Sequence, residues 1–130
     1  MEKLASNILI IRGSREHCDE IVGRKFSLDK VFPDEEWDDV VDCEIKRKPM
    51  KTTVKFKSLD VPPKEWLARV AQKYPSMSFC MMWMNGDYNE AGIINAKSSS
   101  FDEDIYQIGD KQFRKFTRNY FKTNVNYDSM

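Results

Sequence analysis

The spacing of apolar residues changes along the chain, and the clearest change lies between Pro62 and Met84. Trp66, Leu67, Val70, Ala71 and Tyr74 fall on one stripe of a 3.6-residue period, which predicts a helix with one buried face. Pro62 and Pro63 suit its first turn, where a missing N–H is not needed, and Pro75 forbids its continuation. From Phe79 to Met84 every residue is apolar. That run is too short to span a membrane and fits a strand buried on both faces.

Upstream, Ser6 to Arg12 (SNILIIR) predicts another strand with apolar groups on both faces, closed by Gly13. Ser14 is a natural N-cap for a short helix carrying Cys18, Ile21 and Val22, which Gly23 ends. Phe26, Leu28 and Phe32 anchor a packed connection. Pro33 opens an acidic turn or short helix, DEEWDDVV. Asp42–Lys48 and Thr52–Lys57 predict a hairpin around Pro49, with Val54 and Phe56 alternating against Thr53, Lys55 and Lys57. Asn85-Gly86-Asp87 marks a turn. Glu90 to Ala96 is a weaker strand, Lys97 to Asp104 a polar link, and Asp110 to Thr123 a last helix.

The order strand, helix, two-stranded hairpin, helix, strand is the βαββαβ pattern of ferredoxin-like α+β folds. The expectation is one domain over 1–130: a ferredoxin-like core at 6–96 with an added edge strand, then a linker and amphipathic C-terminal helix at 97–130. Such a sheet carries both helices on one face. Its first and fourth strands are nevertheless apolar on both, so something must cover the other side. The candidates are the last helix, through Phe113, Phe116 and Tyr120, or a partner.

Twenty-one Lys and Arg balance twenty-one Asp and Glu. Zero net charge argues against a strongly electrostatic nucleic-acid binder and equally against an acidic nucleic-acid mimic. Three cysteines without a signal-like segment point to free thiols in a reducing cytoplasm.

Several segments together resemble the YubB-like ferredoxin-like domain of small phage and plasmid proteins. They are SNILIIRG, FSLDKVFP, the F-x-S-L-D-V-P-P-K-E-W stretch with its helix ending in K-Y-P, the F-C-M-M-W strand, and the later A-G. They span Ser6 to Ala96. The family's N-W-G-T motif is absent here, where the chain reads VVDCEIKRKPMKTT. The resemblance implies a fold and a phage or mobile-element origin, and it implies no reaction.

Candidate chemistry is sparse. His17 and Cys18 are adjacent, and helical neighbours point about 100° apart, which is poor geometry for a dyad. No Cys-x-x-Cys pair exists, so zinc is not expected. The acidic segment 34–44 lacks the glycine and spacing of a hard-cation loop. No cofactor or catalytic residue is expected. On the last helix Lys111, Arg114, Lys115, Arg118 and Lys122 fall within roughly a 100° sector. With Met82 and Met84, of a methionine cluster that fits core filling better than an adaptable binding surface, they form the candidate partner surface. Trp83 and Phe79 share a strand face and could stack bases, although TTVKFK lacks the glycine and aromatic spacing of an RNA-recognition strand.

The sequence therefore leads to a non-enzymatic phage-type accessory protein that binds a host protein or associates with itself. The alternative is a nucleic-acid-binding module using the basic last helix. No membrane association is expected.

Overall fold

The structure, a computed structural model, describes residues 3–121. One six-stranded antiparallel sheet organises it: β1 (Leu4–Arg12), β2 (Val41–Lys48), β3 (Lys51–Leu59), β4 (Ser78–Met84), β5 (Glu90–Lys97) and β6 (Ser100–Gln107), in the order β2-β3-β1-β4-β5-β6. Three helices complete the α+β fold: α1 (Arg15–Val22), α2 (Lys64–Lys73) and α3 (Lys111–Tyr120).

α1 and α2 bury the larger core. Period-two alternation sends Leu9 and Ile11 of β1, Val54 and Phe56 of β3, and Phe79, Met81 and Trp83 of β4 to one face. There they meet Cys18 and Ile21 of α1 and Trp66, Leu67 and Val70 of α2. Ser14 caps α1 by accepting from the His17 N–H. Four residues of the predicted stripe on α2, Trp66, Leu67, Val70 and Ala71, are buried, while Tyr74 is the C-cap and only partly buried.

The long connection between α1 and β2 does not form the short helix that its acidic run allowed. It holds one 3₁₀ turn, Leu28–Lys30, and is otherwise irregular from 31 to 40. Side chains of α2 fix it. Trp66 Nε1 donates to the Leu28 carbonyl at 2.9 Å and Lys73 donates to the Val31 carbonyl at 3.2 Å. Arg69 pairs with Glu35 and lies over the rings of Phe32 and Trp37. The Glu35 carboxyl is held below the usual carboxylate range by that guanidinium.

The polar link expected at 97–104 is a correction. Ser98, at φ 53°, turns the chain back and 100–107 pairs with β5, so the sheet gains two strands beyond the four-strand order β2-β3-β1-β4. Gly92 of β5 permits this closeness. A Cβ there would lie 2.7 Å from the Asp104 carbonyl oxygen of β6 and 2.8 Å from the Trp83 ring. Glu103 of β6 accepts from Trp83 Nε1 at 3.2 Å and pairs with Lys64 at 2.9 Å. The acids Asp102, Glu103 and Asp104 also discourage pairing of that sheet edge with another strand.

The opposite sheet face is half covered. Phe113 and Phe116 of α3 pack on Ile8, Met82, Met84 and Ala91, with Ile10, Cys80, Ile93 and Tyr106 around them. Met82 and Met84 are thus corrected from surface candidates to core residues beneath α3. Tyr120, expected on the sheet, is 47% exposed and lies against Phe116 with ring centroids 5.1 Å apart. Thr117 takes the buried place instead, its hydroxyl donating to the Phe113 carbonyl at 2.9 Å. Among the described residues no helix is long and apolar enough to cross a membrane.

Candidate functional site

Register decides where the charges go. On β3, Val54 and Phe56 face α1 and α2, so Lys51, Lys55 and Lys57 face the other way. Pairing carries this across the sheet: Lys46 lies opposite Thr53, Lys48 opposite Lys51, and Arg12 of β1 opposite Lys51 on its other side. The uncovered half of the second face is therefore floored by Arg12, Lys46, Lys48, Lys51, Lys55 and Lys57. α3 crosses the other half of this face and meets the floor at its C-terminal end, where Tyr120 and Phe121 lie near Lys55 and Lys57; Lys111, Arg114, Lys115 and Arg118 are exposed along it. Lys122 lies outside the described residues.

Between α3 and the floor runs a groove of about 180 Å³ touching Ser6, Ile8, Lys55, Lys57 and Tyr120. Lys57 pairs with Asp42 at 4.0 Å, at a bulge where Asp42 adopts φ 55°. Among the described residues Arg12, Lys46, Lys48, Lys51 and Lys55 enter no ion pair. The acids of this face are Asp42 and Glu44, the latter directly opposite Lys55, with Asp102 and Asp104 on β6. The acidic run at 34–39 is held instead on the α2 side, through Glu35 and Trp37.

The row Lys48–Lys51–Arg12 sets three cations directly opposite one another across three strands. Like charges so placed oppose folding. They are accounted for if an external anion neutralises them.

Phe79 and Trp83 are not stacking platforms, because both are buried in the core under α1 and α2. The uncovered half of the face carries lysines rather than aromatics. The lysine alternation on 51–57 was visible in the sequence. Its union with Arg12 and α3 was not, since it depends on which strands are neighbours.

The sulfur and imidazole chemistry is dispersed. His17 lies against Tyr74 with centroids 5.5 Å apart and ring planes tilted by 58°, whereas the buried Cys18 thiol points at the Ile11 carbonyl, 4.0 Å away. Among the described residues no three His, Cys, Asp or Glu side chains converge as metal ligands. Burial pushes all three thiols up from their ordinary value, for Cys80 against the opposing pull of Arg12. A raised thiol pKa means less thiolate at a given pH. Alkylation of the native chain is accordingly expected to be slow at neutral pH and to accelerate on the alkaline side of a free cysteine. Exposed Cys43 should react first, then Cys80, with Cys18 modified only on unfolding. Peptide mass spectrometry across a pH series reads this order.

No family model, curated protein or solved structure matches the chain.

Proposed function

We propose that the chain is a non-enzymatic accessory module that binds the sugar–phosphate backbone of nucleic acid through the face built by β1, hairpin β2–β3 and α3. The single observation behind this reading is the unpaired row Lys48–Lys51–Arg12. In the same reading, β2-β3-β1-β4 with α1 and α2 is a ferredoxin-like βαββαβ sheet, extended by β5, β6 and α3. The resemblance to phage and plasmid proteins supports a mobile-element origin.

Zero net charge does not oppose the proposal. Backbone binding depends on the local field of one face, and here the charges are segregated. The reading in which a host protein binds keeps the resemblance and the sparse chemistry behind it, but not the apolar strip of the sheet, which α3 covers.

Binding to a short duplex is expected at a Kd of about 10⁻⁵ M in low salt, weakening at least about tenfold between 50 and 200 mM salt. The diagnostic variant is Lys51→Gln. It should lower affinity and reduce the salt slope by about 1. It should also raise folding stability by about 0.5 kcal/mol, because it removes two like-charge pairings. Fluorescence anisotropy and urea unfolding on one sample give both numbers. No binding at 50 mM salt, or Lys51→Gln binding unchanged, overturns the reading.

A further inference from the structure

A second surface lies on the far side of the sheet, at the start of α2, and its chemistry is opposite to that of the lysine face. It is a cleft of about 450 Å³, within the size range of ligand sites. Its walls are Trp37, Leu59, Val61, Pro62 and Pro63, and its floor includes the indoles of Trp66 and Trp83. Leu59 and Val61 are 42% and 58% exposed, among the most exposed large apolar residues of the fold. Exposed apolar groups gathered at one mouth mark an interaction site better than scattered ones do.

The loop that presents them is fixed from within. Buried Asn7 donates through Nδ2 to Ser58 Oγ at 2.9 Å, and Ser58 Oγ donates to the Val61 carbonyl at 2.7 Å. Between Leu59 and Val61, Asp60 holds φ 62°, a left-handed conformation that costs energy in a non-glycine residue. Its N–H donates to the Lys3 carbonyl at 2.7 Å and its carbonyl accepts from Gly86 at 2.9 Å. A loop pinned at four points in a strained conformation is pre-organised, which lowers the ordering cost of binding.

Charge selects the occupant. Asp38, Glu65 and Glu90 line the cleft. Its one cation, Lys64, is neutralised by Glu103 at 2.9 Å and lies 4.6 Å from the Trp83 ring centroid. α2 begins here without a side-chain cap, but its macrodipole contributes only about half a positive charge against three carboxylates. The net field favours cations.

We propose that this cleft docks a short cationic, apolar segment of a partner protein. The segment's aliphatic side chains cover Leu59 and Val61, and its Lys or Arg groups meet Asp38, Glu65 and Glu90. The site is separate from the lysine face and does not depend on nucleic-acid binding. An adaptor between a nucleic acid and a protein would carry both.

The test uses the full chain, with amide chemical-shift mapping and tryptophan fluorescence. Three synthetic peptides are titrated, alternating Arg with Leu, Arg with Ser, and Glu with Leu. The Arg–Leu peptide should bind saturably, with shifts concentrated at 59–65 and 85–90, and the Arg–Ser peptide more weakly. Val61→Ser, at an exposed position, should retain the wild-type melting temperature within experimental error, whereas Glu65→Lys puts a cation at the positive end of α2 and should lower it slightly while the chain stays folded. Combined, they should weaken the Arg–Leu peptide about tenfold, an effect of about 1.4 kcal/mol. The proposal is overturned by absence of saturable binding, by shifts confined to 34–36 or 102–104, or by unchanged affinity in the double variant. Binding of the Glu–Leu peptide in the cleft would overturn it as well.

Discussion

Trp66→Ala is expected to destabilise the fold by about 3–5 kcal/mol, the range for removing a fully buried aromatic side chain. Against a total stability of about 5–15 kcal/mol for a domain, that is a large fraction. Trp66 has no solvent exposure and meets Phe26 edge-on, at 5.6 Å between centroids and 85° between planes. It also donates to the buried Leu28 carbonyl at 2.9 Å. One side chain thus joins α2, the connection after α1, and the floor of the acidic cleft. Two effects contribute to the loss, and a second variant weighs them. Trp66→Phe keeps one aromatic ring but loses the donor and part of the indole volume, so it should cost about 1–3 kcal/mol, an unsatisfied buried carbonyl together with a packing defect. Urea unfolding of the three proteins gives the comparison. A loss below about 1 kcal/mol for Trp66→Ala would mean that the connection can refill the space and that α2 does not organise it.

How much of this was legible in the sequence follows from how each signal arises. The α2 stripe and the apolar run of β4 could be read because each is a local pattern set by burial on both sides. β6 could not. It is an edge strand with one neighbour, so burial imposes little alternation, and its acids resemble those of a loop. The trace it leaves is Phe101, Glu103 and Ile105 at every second position, and Glu103 proves to be structural through Lys64 and Trp83. The missing signal for Met82 and Met84 was of another kind. Their strand plainly had apolar groups on both faces, but only the placement of α3 decides that they are core rather than contact surface.

The lysine face shows the same division. Composition gives a sum of charges, and the sum is zero. Function depends on how the charges divide between faces, and register controls that. A slip of one residue between β1 and β3 would send Lys51, Lys55 and Lys57 into the core side. The alternation of Val54 and Phe56 forbids the slip, so the same residues that build the core aim the lysines outward. Arg12 joins them only because β1 is the neighbour of β3, a fact of topology beyond any local window.

The last expected result concerns α3. Phe113→Ala should release the helix rather than unfold the domain. Phe113 is almost wholly buried against the second sheet face, and its truncation removes about 3–5 kcal/mol of packing. The smaller core under α3 is distinct from the one that α1 and α2 share with the sheet. The loss is therefore capped by the docking free energy of α3 itself. A helix of ten residues is not stable alone in water, so an undocked α3 will also lose its helical structure. Hydrogen exchange should then show α3 amides exchanging freely while β1 and β4 stay protected. Uncovering Ile8, Met82, Met84 and Ala91 leaves an apolar strip, so the variant should bind hydrophobic dyes and self-associate at concentrations where the wild type does not. Retained α3 protection in Phe113→Ala would show that Phe116 and its neighbours suffice. Loss of protection throughout the sheet would show instead that the two cores fold as one unit.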